Sequence, residues 1–338
     1  MNEKINKQIR LARRPSGWVV DGDFALTEEP VTAPSDGQLL VRNIFLSVDP
    51  YMRGRMNDTK SYVPPFQIGQ VLQAGVVGEV VESRHPAFVA GDYVSGMLGW
   101  ENYSLSNGQG LYKVTRSELP LSWHLGILGM PGMTAYVGLF EIANAKPGET
   151  VFVSAASGAV GSVVGQLAKI HGCRVTGCAG SDDKVELLKS EFGYDAAFNY
   201  RSSQSLTRSI AEICPDGIDV DFENVGGDVF EAALWNMRTY GRIALCGMVA
   251  HYNDERAAQG PRGMMLVIGK RLTIRGFLVM DHSTTSKEYV AKAMQWAAEG
   301  KLRYRETVVQ GIENAPAAFI DMLKGNKVGK QVVQLGDA

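Results

Sequence analysis

Between residues 152 and 172 the chain reads FVSAASGAVGSVVGQLAKIHG: a short apolar strand, a turn of small residues, then a helix. A strand that turns through small residues directly into a helix opens a βαβ unit, and the pattern that follows repeats it. Past Pro147-Gly148, strand-like runs at 150–156, 174–180, 196–200, 218–226, 241–248 and 272–279 alternate with helical stretches such as 182–192, 229–237 and 285–300. Apolar strands spaced by helices specify an α/β fold with a doubly wound parallel sheet.

The stretch before residue 125 follows a different rule. QLLVRNIFLSVDP, AGVVGEVVES and GDYVSGMLGWENYSL are short alternating runs broken by Gly-Asp and Pro turns, the signature of a small β-barrel or sandwich. The first long helical pattern is SWHLGILGMPGMTAYVGLFEIAN at 122–144. Near the C-terminus, ETVVQG and KQVVQL are short strands again, placed to rejoin the first domain because chain ends often meet. A chain of 338 residues, 45% hydrophobic, is long enough for two cores. The expected division is 1–125 with 305–338 for the β domain and 126–304 for the α/β domain.

Charge excludes some classes of partner. Lys and Arg number 34 against 36 Asp and Glu, with no long run of either sign, so neither nucleic acid nor an anionic membrane is an expected partner. The N-terminal stretch has no apolar segment of a signal peptide and no run is long enough to span a membrane, which makes a soluble, cytoplasmic chain the expectation. The four cysteines, at 173, 178, 214 and 246, have no CxxC spacing and read as small buried hydrophobes rather than metal ligands or a disulfide framework.

Ala156-Ser157-Gly158-Ala159-Val160-Gly161 has the spacing of GxGxxG with alanine first. The second glycine lets a pyrophosphate approach the backbone, the third lets helix pack on strand, and the helix N-terminus offers free N–H groups and a positive dipole end. The setting after a strand and at the head of a βαβ series makes this a dinucleotide site. An NAD site places an acid at the tip of the second strand to take the ribose 2′-OH, but here the tip is Cys178-Ala179-Gly180-Ser181. Asp182 and Asp183 read as first-turn acids of a helix capped by Ser181. Lys184, and Arg201 beside Tyr200, suit a 2′-phosphate, so the residues favour NADP(H); the alternative is that both cations are ordinary solvated charges.

These strings also carry a resemblance. SVDPYMRGRM (47–56), GMPGMTAY (129–136), AASGAVGSVVGQLAK (155–169), GSDDK (180–184), FNY (198–200), ENVGG (223–227) and GFLVMDH (276–282) occur in order along almost the whole chain. Together they resemble the zinc-independent medium-chain dehydrogenase/reductase superfamily, in its leukotriene B4 dehydrogenase/prostaglandin reductase-like branch, which includes NADPH-dependent curcumin reductases. The resemblance implies a GroES-like β-barrel domain from both chain ends, a central Rossmann domain, a homodimer, and reduction of the C=C bond of α,β-unsaturated ketones and aldehydes.

By the same resemblance Gly158 and Gly161, with Ala159 and Val160 between them, hold the pyrophosphate, and Gly180, Ser181, Lys184 and Tyr200 surround the 2′-phosphate. Asn224, Met133 and Thr134 fall near the ribose or nicotinamide. Cys246, Gly247, Tyr252 and the backbone of Phe277 and Val279 line the cofactor, and Tyr51 and Tyr252 face substrate. Relatives commonly read Gly-x-Asn-x-Gly-Lys near the C-terminus; this chain has Lys327 at the Asn position, leaving Asn326 as the candidate. The zinc-binding Gly-His-Glu string of metal-dependent members is matched by Gly69-Gln70-Val71, and the first 172 residues contain no cysteine, so no metal is expected.

Hydride transfer needs no protein nucleophile. When hydride reaches the β-carbon of an enone, charge develops on the carbonyl oxygen and a hydrogen-bond donor there stabilises the enolate. Tyr252, in the polar loop HYND after a strand, is the candidate donor, its plainer reading being an ordinary loop aromatic. Arg53 and Arg55 read as structural rather than pocket cations, and the Met-rich stretches at 129–133 and 262–269 as pocket lining, core or dimer interface. Two other functions remain open: a quinone oxidoreductase, and a non-catalytic NADPH-binding protein.

Overall fold

The computed structural model describes residues 4–115, 118–255 and 260–337. The strands are β1 (Ile5–Leu11), β2 (Phe24–Pro30), β3 (Leu39–Ser47), β4 (Gln73–Ser83), β5 (Tyr93–Gly99), β6 (Tyr103–Ser106) and β7 (Tyr112–Lys113). Then come β8 (Thr150–Val153), β9 (Arg174–Ala179), β10 (Ala196–Asn199), β11 (Ile218–Glu223), β12 (Met237–Leu245) and β13 (Thr273–Gly276). The last two are β14 (Glu306–Gln310) and β15 (Lys330–Gln334). The chain forms two compact units, one of residues 1–125, 306–327 and 331–338, the other of 126–305 and 328–330.

The first unit is built on a seven-stranded sheet in the order β14-β15-β3-β4-β5-β7, with β6 also on β3, and on the β1–β2 hairpin. The pairs of β3 with β4, β6 and β15 are antiparallel, as are β4–β5 and β5–β7. Trp100 is fully buried at its centre, stacked on Phe24 and edge-on to Phe319 of the helix Ala315–Leu323. The late segment therefore supplies core to a domain begun by the N-terminus.

The second unit holds six parallel strands in the order β10-β9-β8-β11-β12-β13. In order of appearance that is 3-2-1-4-5-6, the Rossmann arrangement, whose winding reverses between β8 and β11. β8 is buried at every position, as a strand covered on both faces must be. The strands are shorter than the apolar runs that announce them: β8 stops at Val153 because Ser154–Gly158 turns away, and β13 stops at Gly276.

The 122–144 pattern does not form one helix. It divides into a 3-10 turn Leu121–Leu125, the helix Met130–Tyr136 and a π-helical turn Val137–Ile142. Two aromatic contacts hold the last part: Tyr136 is edge-on to Phe140 and tilted on Tyr289. The C-terminal assignment also differs in detail, because residues 328–330 belong to the second unit. There Gly329 donates its N–H to the Ser157 carbonyl at 2.8 Å.

Close approach fixes the helix Gly161–Ile170. A Cβ on Gly161 would sit 2.5 Å from the Ala155 carbonyl oxygen, and one on Gly165 2.1 Å from the Tyr194 ring. Tyr194 is buried and its hydroxyl donates to the Gly161 carbonyl at 2.7 Å, locking helix to strand from below. Tyr194→Phe should cost about 1 kcal/mol through the lost hydrogen bond. Gly165→Ala should cost more, about 1–3 kcal/mol, because the ring has to move. Urea unfolding of both variants checks the order; equal costs would remove the packing argument.

Candidate active site

The second-unit candidates from the sequence, apart from Met133 and Thr134, fall at or just beyond the C-terminal ends of the six parallel strands. Ser154–Gly161 follow β8, Gly180–Lys184 follow β9, Tyr200 follows β10, Asn224 follows β11, Cys246–Tyr252 follow β12 and Phe277–Val279 follow β13. Because the strands are parallel, these ends lie along one edge of the sheet, where doubly wound folds bind ligands.

At the reversal point the two loops are tied together. The Asn224 amide donates to the Ser154 carbonyl at 2.8 Å, and the Ser154 hydroxyl accepts from the Asn224 N–H at 2.7 Å. The same hydroxyl donates to Glu223 at 2.9 Å. The turn beyond Ser154 carries a left-handed Ala155, at φ 48°, so the strained residue stands one place before the alanine that replaces the first motif glycine. A Cβ on Gly158 would meet only the Ala155 carbonyl oxygen, at 3.2 Å. The fold therefore leaves space over Gly158, as a backbone approached by phosphate requires.

Gly180, Tyr200 and Arg201 converge. An atom added at Gly180 would lie 3.2 Å from the Tyr200 hydroxyl and 3.3 Å from Arg201 Nε. Burial and the neighbouring Arg201 guanidinium both lower the Lys184 pKa. Two cations repelling one another beside a glycine fit an anion better than a neutral 2′-OH. Ser181 stands at the N-cap position of the helix Asp182–Ser190 with extended backbone, but its hydroxyl makes no capping bond. The capping role expected for it is not formed, and Asp182 instead accepts from Asn199 at 2.9 Å.

The Tyr252 hydroxyl lies close to Gly247. A Cβ on Gly247 would lie 3.2 Å from the Asn224 carbonyl oxygen and 3.4 Å from the Tyr252 hydroxyl. His251, next to it, pairs with Asp254 at 2.8 Å and packs over Gly226. Cys246 has its thiol pushed up by burial and then by Glu223, so it remains protonated. Phe277 packs edge-on against Phe222. Met133 is buried in its helix, and the Thr134 hydroxyl donates to the Met130 carbonyl at 2.7 Å.

Two candidates belong to the first unit. Tyr51 opens the short helix Tyr51–Arg55, and burial, then Asp49, raises its phenol so that it stays a donor. Asn326 is exposed beyond the helix Ala315–Leu323, its N–H donating to the Asp321 carbonyl at 3.1 Å; Lys327 pairs with the Asp321 carboxylate at 3.4 Å. Arg53 and Arg55 are structural: Arg53 donates to the Gly17 carbonyl at 2.9 Å, and Arg55 donates to the Pro64 carbonyl at 3.0 Å and lies over the Phe66 ring.

Sequence reasoning passed over Ser154 and Glu223. The only signal for them was polarity at the ends of two otherwise apolar strands, which reads equally well as loop entry.

The chain matches the family models described as "N-terminal domain of oxidoreductase", over residues 7–114, and "Zinc-binding dehydrogenase", over 159–299. It is 43% identical to the NADPH-dependent curcumin reductase of Escherichia coli, covering 98% of this chain and 97% of that one. It is 45% identical to the 2-alkenal reductase (NADP(+)-dependent) of Nicotiana tabacum, covering 98% of each. The crystal structure of CurA in complex with NADPH from Vibrio vulnificus superposes with a TM-score of 0.94 at 43% identity, over 98% of this chain and 100% of that one. Fold and site together define a two-domain dehydrogenase/reductase with a Rossmann unit. The chain belongs to the medium-chain dehydrogenase/reductase superfamily, in its prostaglandin reductase-like branch, and the first unit is the GroES-like one. The word zinc in the second description does not suit the donor set: among the described residues no three His, Cys, Asp or Glu side chains are grouped to hold a metal.

Below the edge, Asp221 and Glu223 are both fully buried. Burial, then Glu223, raises Asp221 well above the carboxylate range, and burial pushes Glu223 up to about 7 against an ordinary 4.5. Native protein then holds protons that the unfolded chain releases, so this pair's stability contribution falls as pH rises from about 4 towards 7. The urea midpoint should drop across that interval, and Asp221→Asn should flatten the drop. An unchanged slope in the variant would contradict the assignment.

Proposed function

We propose that the protein is an NADP(H)-dependent reductase of the C=C bond of α,β-unsaturated ketones and aldehydes, the chemistry named for its curcumin reductase and 2-alkenal reductase relatives. The observation that carries this reading is the gathering of a phosphate turn, a Lys184–Arg201 pair and the Tyr252 hydroxyl along one edge of a parallel sheet. In it Gly158, Ala159, Val160 and Gly161 hold the pyrophosphate, while Gly180, Ser181, Lys184 and Tyr200 take the 2′-phosphate. Asn224, Met133, Thr134, Cys246, Gly247, Phe277, Val279 and Asn326 complete the cofactor contacts. When bound, NADPH supplies a hydride for the β-carbon. The Tyr252 phenol donates a hydrogen bond to the carbonyl oxygen as enolate charge develops there, and Tyr51 faces the substrate.

The protein is proposed to be cytoplasmic and to work as a homodimer. Among the described residues no helix is long and apolar enough to cross a membrane. β13 is an edge strand of the six-stranded sheet, and Met265 and Ile268 of the preceding helix are 76% and 72% exposed, a combination that suits pairing with a second copy.

Lys184→Ala should raise the KM for NADPH by roughly tenfold or more while leaving that for NADH nearly unchanged, since a charge-assisted contact to phosphate is lost. Steady-state kinetics with both cofactors and a simple enone measure this; equal use of the two cofactors by the wild type would exclude the 2′-phosphate assignment. Tyr252→Phe should lower kcat by roughly 100-fold with little change in cofactor affinity. Unaltered kcat would remove Tyr252 from the reaction.

A further inference from the structure

We propose that Glu223 is the positioning residue of this site: its carboxyl gathers the Ser154 hydroxyl and the Val225 and Gly226 amides, and thereby sets the phosphate turn against Asn224. The proposal rests on the NADP reading of the edge. It starts from an arrangement that no step of hydride transfer uses. One oxygen, Oε1, accepts from Val225 N–H at 2.5 Å, Gly226 N–H at 2.7 Å and Ser154 Oγ at 2.9 Å. Ser154 begins the turn after β8, and Val225 and Gly226 follow β11, so a single atom joins both sides of the point where the winding reverses.

The amides fit that role by their backbone. Gly226 and Gly227 both have positive φ, at 77° and 56°, and they lead into the helix Gly227–Asn236. Successive N–H groups in such a turn form a concavity for an anionic or acidic oxygen. Here the chain fills it with its own side chain, so these donors are spent on geometry rather than on phosphate. The other carboxyl oxygen, Oε2, is buried and has no hydrogen-bond partner among the described residues. A neutral carboxyl can carry its proton there while Oε1 still accepts all three bonds; an ionised one strengthens those bonds but adds a buried negative charge that an anionic cofactor would oppose.

Several groups face Glu223. Asp221 lies two residues back on its own strand, and the Cys178 and Cys246 thiols, at the ends of β9 and β12, both feel its charge. All are acids that burial keeps protonated. Loss of the Glu223 proton therefore introduces negative charge into a neutral cluster, and binding of an anionic cofactor should oppose that loss.

The test is NADPH binding, followed by fluorescence titration between pH 5.5 and 8.5, with cofactor-free thermal melting over the same range. Wild type should bind NADPH roughly tenfold more weakly at the alkaline end than Glu223→Gln would lead one to expect, the size of a one-unit linked shift. Glu223→Gln keeps an acceptor oxygen and cannot titrate. It should fold, show a flatter dependence of Kd on pH, and lose the part of the melting-temperature decline that Glu223 causes. The 2′-phosphate titrates in both proteins and cancels. Ser154→Ala provides a second variant that keeps the acid: it should weaken NADPH binding while retaining the pH dependence, displaced upward because one donor to the carboxylate is gone. Identical pH profiles for wild type and Glu223→Gln, together with unweakened NADPH binding by Ser154→Ala, would overturn the positioning role alone. A wild type that binds no NADPH would overturn the reading of the site and the proposal with it.

Discussion

The contact on which the second unit depends is the one between helix Gly161–Ile170 and the turn at Ala155. With 2.5 Å from a would-be Cβ to the Ala155 carbonyl oxygen, only glycine at position 161 lets the helix start where it does. That start fixes where the free N–H groups of the first turn lie and leaves Gly158 uncovered. Tyr194, filling the groove over Gly165 and bonding the Gly161 carbonyl, holds the same helix along the face that Gly161 and Gly165 share. A helix displaced outward by one side chain would carry its N-terminus, and the positive end of its dipole, away from the edge of the sheet.

From that point the site is assembled by topology. Six parallel strands end along one edge, and the order 3-2-1-4-5-6 opens the crevice between β8 and β11. Ser154, Glu223 and Asn224 close the base of that crevice with hydrogen bonds that run between the two strands rather than along either. The apolar sheet thus ends in a small polar knot, and a buried polar group is tolerable there because its donors and acceptors are nearly all matched. Burial, and for Asp221 then the neighbouring Glu223, holds the pair's protons on at a pH where exposed carboxylates have lost theirs.

Much of this was legible in the chain, for definite reasons. The alternation of apolar runs with helical periods specifies the parallel sheet, and the missing acid at Cys178–Ser181 with Lys184 beyond it specifies an electrostatic preference that the Lys184–Arg201 repulsion repeats. Ala156 replaces the first motif glycine without strain because the left-handed residue is Ala155, which no spacing rule picks out. The 122–144 pattern breaks into three pieces, with Tyr289 from a helix some 150 residues later packed on Tyr136; the capping role given to Ser181 is not formed, and Asn199 from a neighbouring strand end bonds the first-turn acid Asp182. Glu223 was out of reach for the same reason: its partner Ser154 is 69 residues away, and only the folded sheet brings them together.

The central claim is that hydride goes to carbon of a C=C bond, not to a carbonyl or a quinone. It is tested most directly by incubating the protein with a simple enone and NADPH carrying deuterium at the transferable position, then locating the label by NMR. The account predicts a saturated ketone with deuterium on the β-carbon. Deuterium on a carbinol carbon, or turnover of quinones with none of the enone, would contradict it.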